Sequence, residues 1–158
     1  MKVEYRSIGV IRTPFANVEG MPIQPSRARD VEGIIEVFPE FQEGLSDLEG
    51  FSHLILLYHF HRVRGYSLRV IPFLDKEPRG IFATRAPKRP NPIGLSVVRL
   101  RGMEGNRLWV LDVDILDGTP LLDIKPYVPE FDSRSRVRIG WLEEAKRERK
   151  ILSDDRFA

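Results

Sequence analysis

The sequence predicts an all-β or β-rich barrel built from many short strands. Apolar and polar residues alternate at period two in most segments, as in RLWVLDVDI, which is the repeat of a half-buried strand. Proline and glycine, 12 of each, interrupt the chain between those segments at strand-like intervals. The βαβ rhythm of a parallel sheet is missing, which disfavours a Rossmann-type domain. A chain of 158 residues makes one domain that buries roughly two-thirds of its extended surface.

In chain order, YRSIGVIRTPF alternates around Ile8 and Val10 and reads as a first strand closed by Pro14. NVEGMPIQPSRARD, with Pro22 and Pro25, reads as a loop long enough to serve a function. VEGIIEVF is a second strand stopped at Pro39. FQEGLSDLEGF suits a short helical turn, with Ser46 and Glu49 at capping-box spacing. HLILLYHFHRV is almost wholly apolar at its start, as in a central strand buried on both faces. GIFATR follows Pro72 and Pro78 as a short strand. IGLSVVRLRGM and NRLWVLDVDIL flank EGN as a hairpin. Within it Leu108, Val110 and Asp112 share one face, and Trp109, Leu111, Val113 and Ile115 the other. DGTPLLDIKPYVPEFD turns at Asp117-Gly118, and GWLEEAKRERKI carries a polar helical pattern expected on the surface.

Composition excludes several classes. At 42% hydrophobic and 30% charged the chain is an ordinary globular domain, neither disordered nor membranous. Its longest apolar stretch, Leu54 to Tyr58, is far below the ~20 residues that cross a bilayer. MKVEYRSIGV enters strand-like alternation without the apolar core of a secretory signal. The absence of cysteine removes disulfides, thiolate catalysis and cysteine-ligated metal sites together. A cytoplasmic protein is expected. The net charge of +2 says little about a polyanionic partner, but its distribution says more. From Arg79 to Arg101 there are six Arg or Lys and no Asp or Glu, whereas carboxylates gather at Asp112, Asp114, Asp117 and Asp123.

TRAPKRPNPIGLS, Thr84 to Ser96, holds much of that positive charge. Pro87, Pro90 and Pro92 each fix φ and bias the preceding residue toward extended geometry, so the segment reads as a shaped loop from which Arg85, Lys88 and Arg89 project. His53, His59 and His61 are the only histidines. His59 and His61 share one strand face at i and i+2, a pattern that can ligate a metal, but no third ligand is evident and none is expected to bind. Asp112, Asp114 and Asp117 with Gly118 have the wrong spacing for an EF-hand and read equally as carboxylates leaving a strand beside a turn. Ser52 and His53 are neighbours on opposite faces, not part of a triad. No G-x-S-x-G elbow, Gly-rich phosphate loop or H-E-x-x-H helix is present. Composition and periodicity stop at a small-ligand pocket assembled from the basic loop, the LDGTP turn and the histidine strand.

Taken together, LEGFSHLILLYHFH, GIFATRAPKRPNPIGLSVV and LDVDILDGTPLLDIKPYVP resemble the TsaA-like family, over a span from about Ile8 to Asp132. PFLDKEPRGIFATR fits as well, as does the pair Gln24-Pro25, although Ile23 stands where the family has an arginine. That family includes S-adenosylmethionine-dependent methyltransferases that modify N6-threonylcarbamoyladenosine beside the anticodon of tRNA. The resemblance implies an all-β domain over residues 1–132, a small antiparallel β-barrel with short helical elements. It also implies S-adenosyl-L-methionine as cofactor, the tRNA anticodon loop as partner and a homodimer, with no membrane involved. Residues 133–158 are then a short basic extension, expected to be helical.

For the donor pocket the resemblance points to Gln24, Phe60, His61, Asn91, Pro92, Ile93, Gly94, Leu95, Leu116, Asp117, Gly118 and Thr119. For the catalytic and substrate side it points to His61, Arg85, Arg89, Asp123, Lys125 and Tyr127. Methyl transfer from a sulfonium is an in-line displacement to which an enzyme adds chiefly positioning. The ureido-type nitrogen of the implied substrate has a delocalised lone pair and sheds a proton, to a base or to solvent. Its threonyl carboxylate suits a bidentate arginine, which leaves Arg85 and Arg89 two readings, that carboxylate or the anticodon-loop phosphates. Lys88 and the C-terminal cations read as nonspecific backbone contacts. Asp123 and Lys125 share a strand face and are equally suited to pairing with each other, Tyr127 to capping the core, and His61 to a base or a hydrogen-bonding wall. A different class also stays open: a non-catalytic S-adenosylmethionine- or RNA-binding module, with Phe60, Phe82, Trp109 and Tyr127 as stacking platforms.

Overall fold

The computed structural model describes residues 1–17, 28–73 and 75–155, with side chains through Glu148. Its strands are β1 (Gly9–Arg12), β2 (Glu32–Val37), β3 (His53–His59), β4 (Arg69–Val70), β5 (Arg79–Gly80), β6 (Ile93–Glu104), β7 (Arg107–Leu111) and β8 (Thr119–Pro126). Six of them close into an antiparallel barrel in the order β1-β2-β7-β6-β3-β8, and β8 pairs back onto β1. β4 and β5 form a separate two-stranded ribbon. Two helices follow, α1 (Pro129–Asp132) and α2 (Leu142–Asp155). The all-β barrel expected from the strand pattern is the fold.

Period-two alternation fills the barrel. Ile11, Ile35, Leu54, Leu56, Val98, Leu108, Val110 and Leu121 point inward and are essentially inaccessible, each contributing about 1.5–3 kcal/mol of burial. β3 is not buried on both faces as its apolar start suggests. Leu54, Leu56 and Tyr58 are buried while Ile55, Leu57 and His59 are half-buried, because a closed barrel has a core on one side only.

Two backbone irregularities set which side chains reach the interior. Asp112 follows β7 at φ +73° and reverses the parity of the chain, so Val113 and Ile115 are buried together with Leu108 and Val110. The two-faced alternation read from the sequence ends at that residue. In β8 the pairing with β3 shifts between Leu57 and Tyr58, so Leu57 faces Asp123 and Tyr58 faces Leu121. Leu122 is the extra residue of a β-bulge, after which Ile124 packs on the core.

Local expectations shift in three places. The β6–β7 hairpin pairs Glu104 with Arg107, which leaves only Gly105-Asn106 in the turn, with Gly105 at φ +59°, where glycine carries no Cβ penalty. Ser46 caps no helix: it follows a 3-10 turn over Pro39–Leu45, and its Oγ donates to the Glu43 carbonyl at 2.9 Å. GIFATR is mostly not strand, since Ile81–Ala83 form a 3-10 turn directly after β5. The polar α2 is tied to that turn through the residue before it: Trp141 Nε1 donates to the Ala83 carbonyl at 2.9 Å, and the Arg79 guanidinium lies 5.8 Å from the indole centroid. No described helix is long and apolar enough to cross a membrane.

Candidate functional site

The barrel mouth where β3 ends and β6 and β8 begin opens into a cavity of about 250 Å³ lined by Tyr58, Phe60, His61, Arg62, Val63, Pro87, Asp114, Ile115, Leu116 and Thr119. Gly94 makes its aromatic wall possible. A Cβ there would stand 2.3 Å from Tyr58 Cε2 and 2.9 Å from Phe60 Cζ. With glycine in place the two rings meet edge-on, 5.6 Å between centroids at 83°, a favoured aromatic geometry.

Three polar side chains run inward from this wall. Ser96 Oγ donates to Asp114 Oδ1 at 2.7 Å, so the Tyr58 phenol, 2.8 Å from the same Oγ, is the donor to Ser96. Tyr58 and Ser96 are 6% and 7% exposed, which leaves this chain little access to solvent. Burial pushes the Tyr58 hydroxyl up to about 12, opposed by the Ser96 hydrogen bond; the Asp114 charge adds to the rise and the Arg85 charge offsets it. Tyr58 therefore stays a protonated donor at neutral pH. Asp114 ends the chain as an acceptor on a largely apolar cavity, with no cationic partner among the described salt bridges. A largely apolar, aromatic-edged cavity with one carboxylate, Asp114, and one guanidinium, Arg62, in its lining suits a flat ligand that carries charge of both signs.

His61 lies in the turn beyond β3, with Nδ1 3.5 Å from Thr119 Oγ1. Burial, then the charges of Arg62 and His59, holds its pKa below the ordinary histidine value. His59 is on the outer wall, in a separate groove with Tyr5, Ser7, Asn91, Pro92, Ile93, Pro120 and Leu122. The two histidines do not share a face, because β3 stops at His59 and the alternation stops with it. Among the described residues no three metal-ligating side chains converge.

The basic strip is largely committed to structure. Arg89 Nη1 donates to the carbonyls of Thr84 at 2.7 Å and of Ile81 and Ala86 at 3.2 Å, and its guanidinium lies 6.0 Å from the Phe82 centroid. Arg89 thus answers how a proline-rich loop with few amide donors holds its shape: a side chain supplies the missing donor. Arg79 pairs with Asp75 at 2.5 Å. Arg99 forks onto Asp112 at 2.6 and 2.8 Å and reaches Asp30, and Arg101 pairs with Glu32. The hydrogen bond from Arg99 is the main cause holding the Asp112 carboxyl below the usual carboxylate range. Among the described residues Arg85 and Lys88 keep no acidic partner, and both project into solvent.

The structure brings together Phe60, His61, Leu116 and Thr119 from the residues the sequence suggested for a donor pocket, with Gly94 behind the rings. Asn91, Pro92 and Ile93 line the outer groove instead, and Leu95 faces outward at 48% exposure. Asp117 and Gly118 shape the adjoining turn: Thr13 N donates to Asp117 Oδ1 at 3.1 Å, and Gly118 sits at φ +79°. Asp123 and Lys125 pair with each other at 2.8 Å on the outer face. Tyr127 packs on His53, centroids 6.1 Å apart, at the other end of β8, on the order of 20 Å along the strand from Thr119. Ser52 and His53 do touch, Oγ to Nδ1 at 2.8 Å, because Ser52 precedes the strand and escapes its alternation. Gln24 lies outside the described residues.

Tyr58, Ser96 and Asp114 were not singled out as a site by the sequence. The available signal was a polar hydroxyl at an inward position of both LILLYH and IGLSVV.

Comparison with known proteins adds the relationships. A family model for the tRNA-methyltransferase O N-terminal domain matches residues 10–133. A probable S-adenosyl-L-methionine-binding protein of Pyrococcus abyssi is 61% identical over 97% of this chain and 84% of its own length. The tRNA (adenine(37)-N6)-methyltransferase of Homo sapiens is 35% identical over 82% of this chain but 31% of its own. A crystal structure of TrmO from Pseudomonas aeruginosa matches with a TM-score of 0.76 at 45% identity, covering 89% of this chain. This chain spans 62% of that solved one, less than two-thirds of its length.

Proposed function

This chain belongs to the tRNA-methyltransferase O N-terminal domain family, and from that membership we propose that it transfers a methyl group from S-adenosylmethionine to N6 of N6-threonylcarbamoyladenosine beside the tRNA anticodon. The observation that carries the reading is the aromatic-edged cavity with its one carboxylate. Its chemistry fits the donor, which has a flat adenine and a sulfonium cation and, when bound, supplies an activated methyl group. Tyr58 and Phe60 hold the flat part, while the Leu116 carbonyl region and Thr119 border it. The Asp114 carboxylate balances positive charge in the cavity and takes the proton that the acceptor nitrogen sheds on methylation. Ser96 fixes the orientation of that carboxylate, and Tyr58 fixes Ser96. Neutral His61 donates or accepts a hydrogen bond at the rim without adding a repelling charge. Arg85, the loop arginine not consumed by the fold, receives the threonyl carboxylate, with Lys88 on neighbouring phosphate.

The test is transfer of labelled methyl to an anticodon stem-loop with and without the threonylcarbamoyl group. A charge-assisted contact of roughly 2–5 kcal/mol predicts a preference of tens- to thousands-fold for the modified RNA. Equal transfer to both loops overturns the substrate. A second reading, a non-catalytic S-adenosylmethionine-binding module, has support in the names of the Pyrococcus and other archaeal relatives; saturable donor binding with no transfer to either loop would favour it. A homodimer is also proposed, formed on the outward stripe of β6, where Ile93, Leu95 and Val97 are each about 40–50% exposed. Light scattering at micromolar concentration tests it, and a monomer rejects it.

A further inference from the structure

We propose that the outer wall of the barrel carries a nucleobase subsite built on Trp109 between Arg12 and Arg101, which takes a nucleotide neighbouring the one methylated. The inference rests on the RNA reading above. Strand register makes the site: Arg12 pairs with Ile34 and Ile34 with Trp109, so these three outward side chains form one row across β1, β2 and β7. They border a groove of about 380 Å³ whose far lip is Arg101. Arg101 is the extra residue where the β6–β7 register shifts between Leu100 and Gly102, and a bulge re-aims its side chain. Glu32 holds its guanidinium. The groove therefore has a half-buried indole wall with Arg12, which has no acidic partner among the described salt bridges, at one lip and the Glu32-paired Arg101 at the other. That combination accepts a flat base with its phosphate on the Arg12 side.

Position favours RNA over another anion. Arg12 Nη1 would lie 3.9 Å from a Cβ on Gly118, and Thr13 N is bonded to Asp117 Oδ1. That same turn lies between Leu116 and Thr119, which line the methyl-donor cavity. Cavity and groove thus adjoin across a single turn. An RNA strand with its acceptor nucleotide at the cavity passes over Gly118, where the Arg12 guanidinium is at hand for a phosphate, and reaches Trp109.

The chain has two tryptophans, so the variant Trp141→Phe leaves Trp109 as the sole indole emitter. Titrating the full chain with a short unmodified oligoadenylate should quench its fluorescence saturably. Trp109→Leu should weaken oligoadenylate binding roughly 5- to 150-fold, Trp109→Phe should recover part of the loss, and Arg12→Ala should lower the salt slope by about one. S-adenosylmethionine affinity should stay the same in all three. RNA binding with unquenched Trp109 and unchanged affinity in Trp109→Leu overturns the subsite alone. Failure of any RNA to bind, with donor binding intact, overturns the RNA reading and the subsite together. Quenching by an acidic polyglutamate peptide in place of RNA assigns the groove to a protein partner and overturns it too.

Discussion

Ser96 Oγ donates to Asp114 Oδ1 over 2.7 Å, a contact between the interior of a strand and a segment that has already left the sheet. It exists because Asp112 turns the chain at φ +73° and brings the next carboxylate back over the barrel mouth. The contact separates two functions that neighbouring mutations should resolve. Asp114→Asn keeps the shape and loses the charge, so kcat should fall about 10²- to 10⁴-fold, the range for losing an acid–base group. Single-turnover kinetics at saturating donor and RNA would measure it; an unchanged kcat removes Asp114 from proton transfer.

Ser96→Ala leaves the buried Tyr58 hydroxyl without its acceptor. The cost of an unsatisfied buried polar group is about 1–3 kcal/mol, readable as a lower urea midpoint at unchanged m. Tyr58→Phe combined with Ser96→Ala should cost less than the sum of the two single changes, because the orphaned group is gone.

Adding one methyl at Gly94 should be felt at the donor site before it is felt elsewhere. The new Cβ overlaps both cavity rings, and overpacking of this kind costs typically 1–3 kcal/mol. Gly94→Ala should therefore weaken S-adenosylmethionine binding in calorimetry. Gly102→Ala, where a Cβ meets nothing within 4 Å, is the control and should leave affinity unchanged.

The two loop arginines should part company. Arg89→Lys shortens the side chain and draws its nitrogen away from the three carbonyls that Nη1 serves, and it should raise hydrogen exchange across residues 81–86 and lower Tm. Arg85→Lys should leave Tm alone and reduce discrimination between modified and unmodified RNA, since an ammonium lacks the planar fork. Identical thermal and kinetic profiles for the two variants would refute the division.

His61 gives a pH signature. Its folded pKa lies below 6.5, chiefly through burial, so the unfolded chain takes up a proton at higher pH than the folded one. The corresponding stability is present above pH 6.5 and is lost as pH falls from there toward the folded value. Protonation of the folded protein also sets a cation beside the proposed sulfonium, so donor affinity should drop as pH falls through that lowered folded value. Calorimetry between about pH 5 and 8 should show the drop, and His61→Gln should flatten it.

The strands were legible because a barrel wall imposes one periodicity on every segment: Leu108 and Val110 sit on one inward face as alternation predicts. In β1, by contrast, the phase is the reverse of the one read around Ile8 and Val10, with Ile11 buried and Val10 only half-buried. The site was legible only in part. Asn91 to Ile93 are adjacent in sequence to Gly94, yet they leave the loop on the outside, while Gly94 turns inward beneath Tyr58. Arg89 looks like Arg85 on the page, and only the carbonyls around it reveal that it holds the loop. The Tyr58–Ser96–Asp114 chain depends on a positive φ at a non-glycine residue and on a cross-strand neighbour, neither of which local periodicity encodes.

Barrel closure has a consequence for how this molecule associates. Each of the six wall strands is hydrogen-bonded on both sides, so the wall offers no free backbone ladder for another chain to extend, and contacts with it must be made through side chains. The ribbon of β4 and β5 is different. Among the described sheets it alone keeps outer edges, and Leu68 and Ile71, which flank β4, are about 60% exposed. Main-chain addition of a foreign strand, whether useful recognition or the first step of aggregation, is thereby confined to the arm that carries Arg79 and leads into the basic loop.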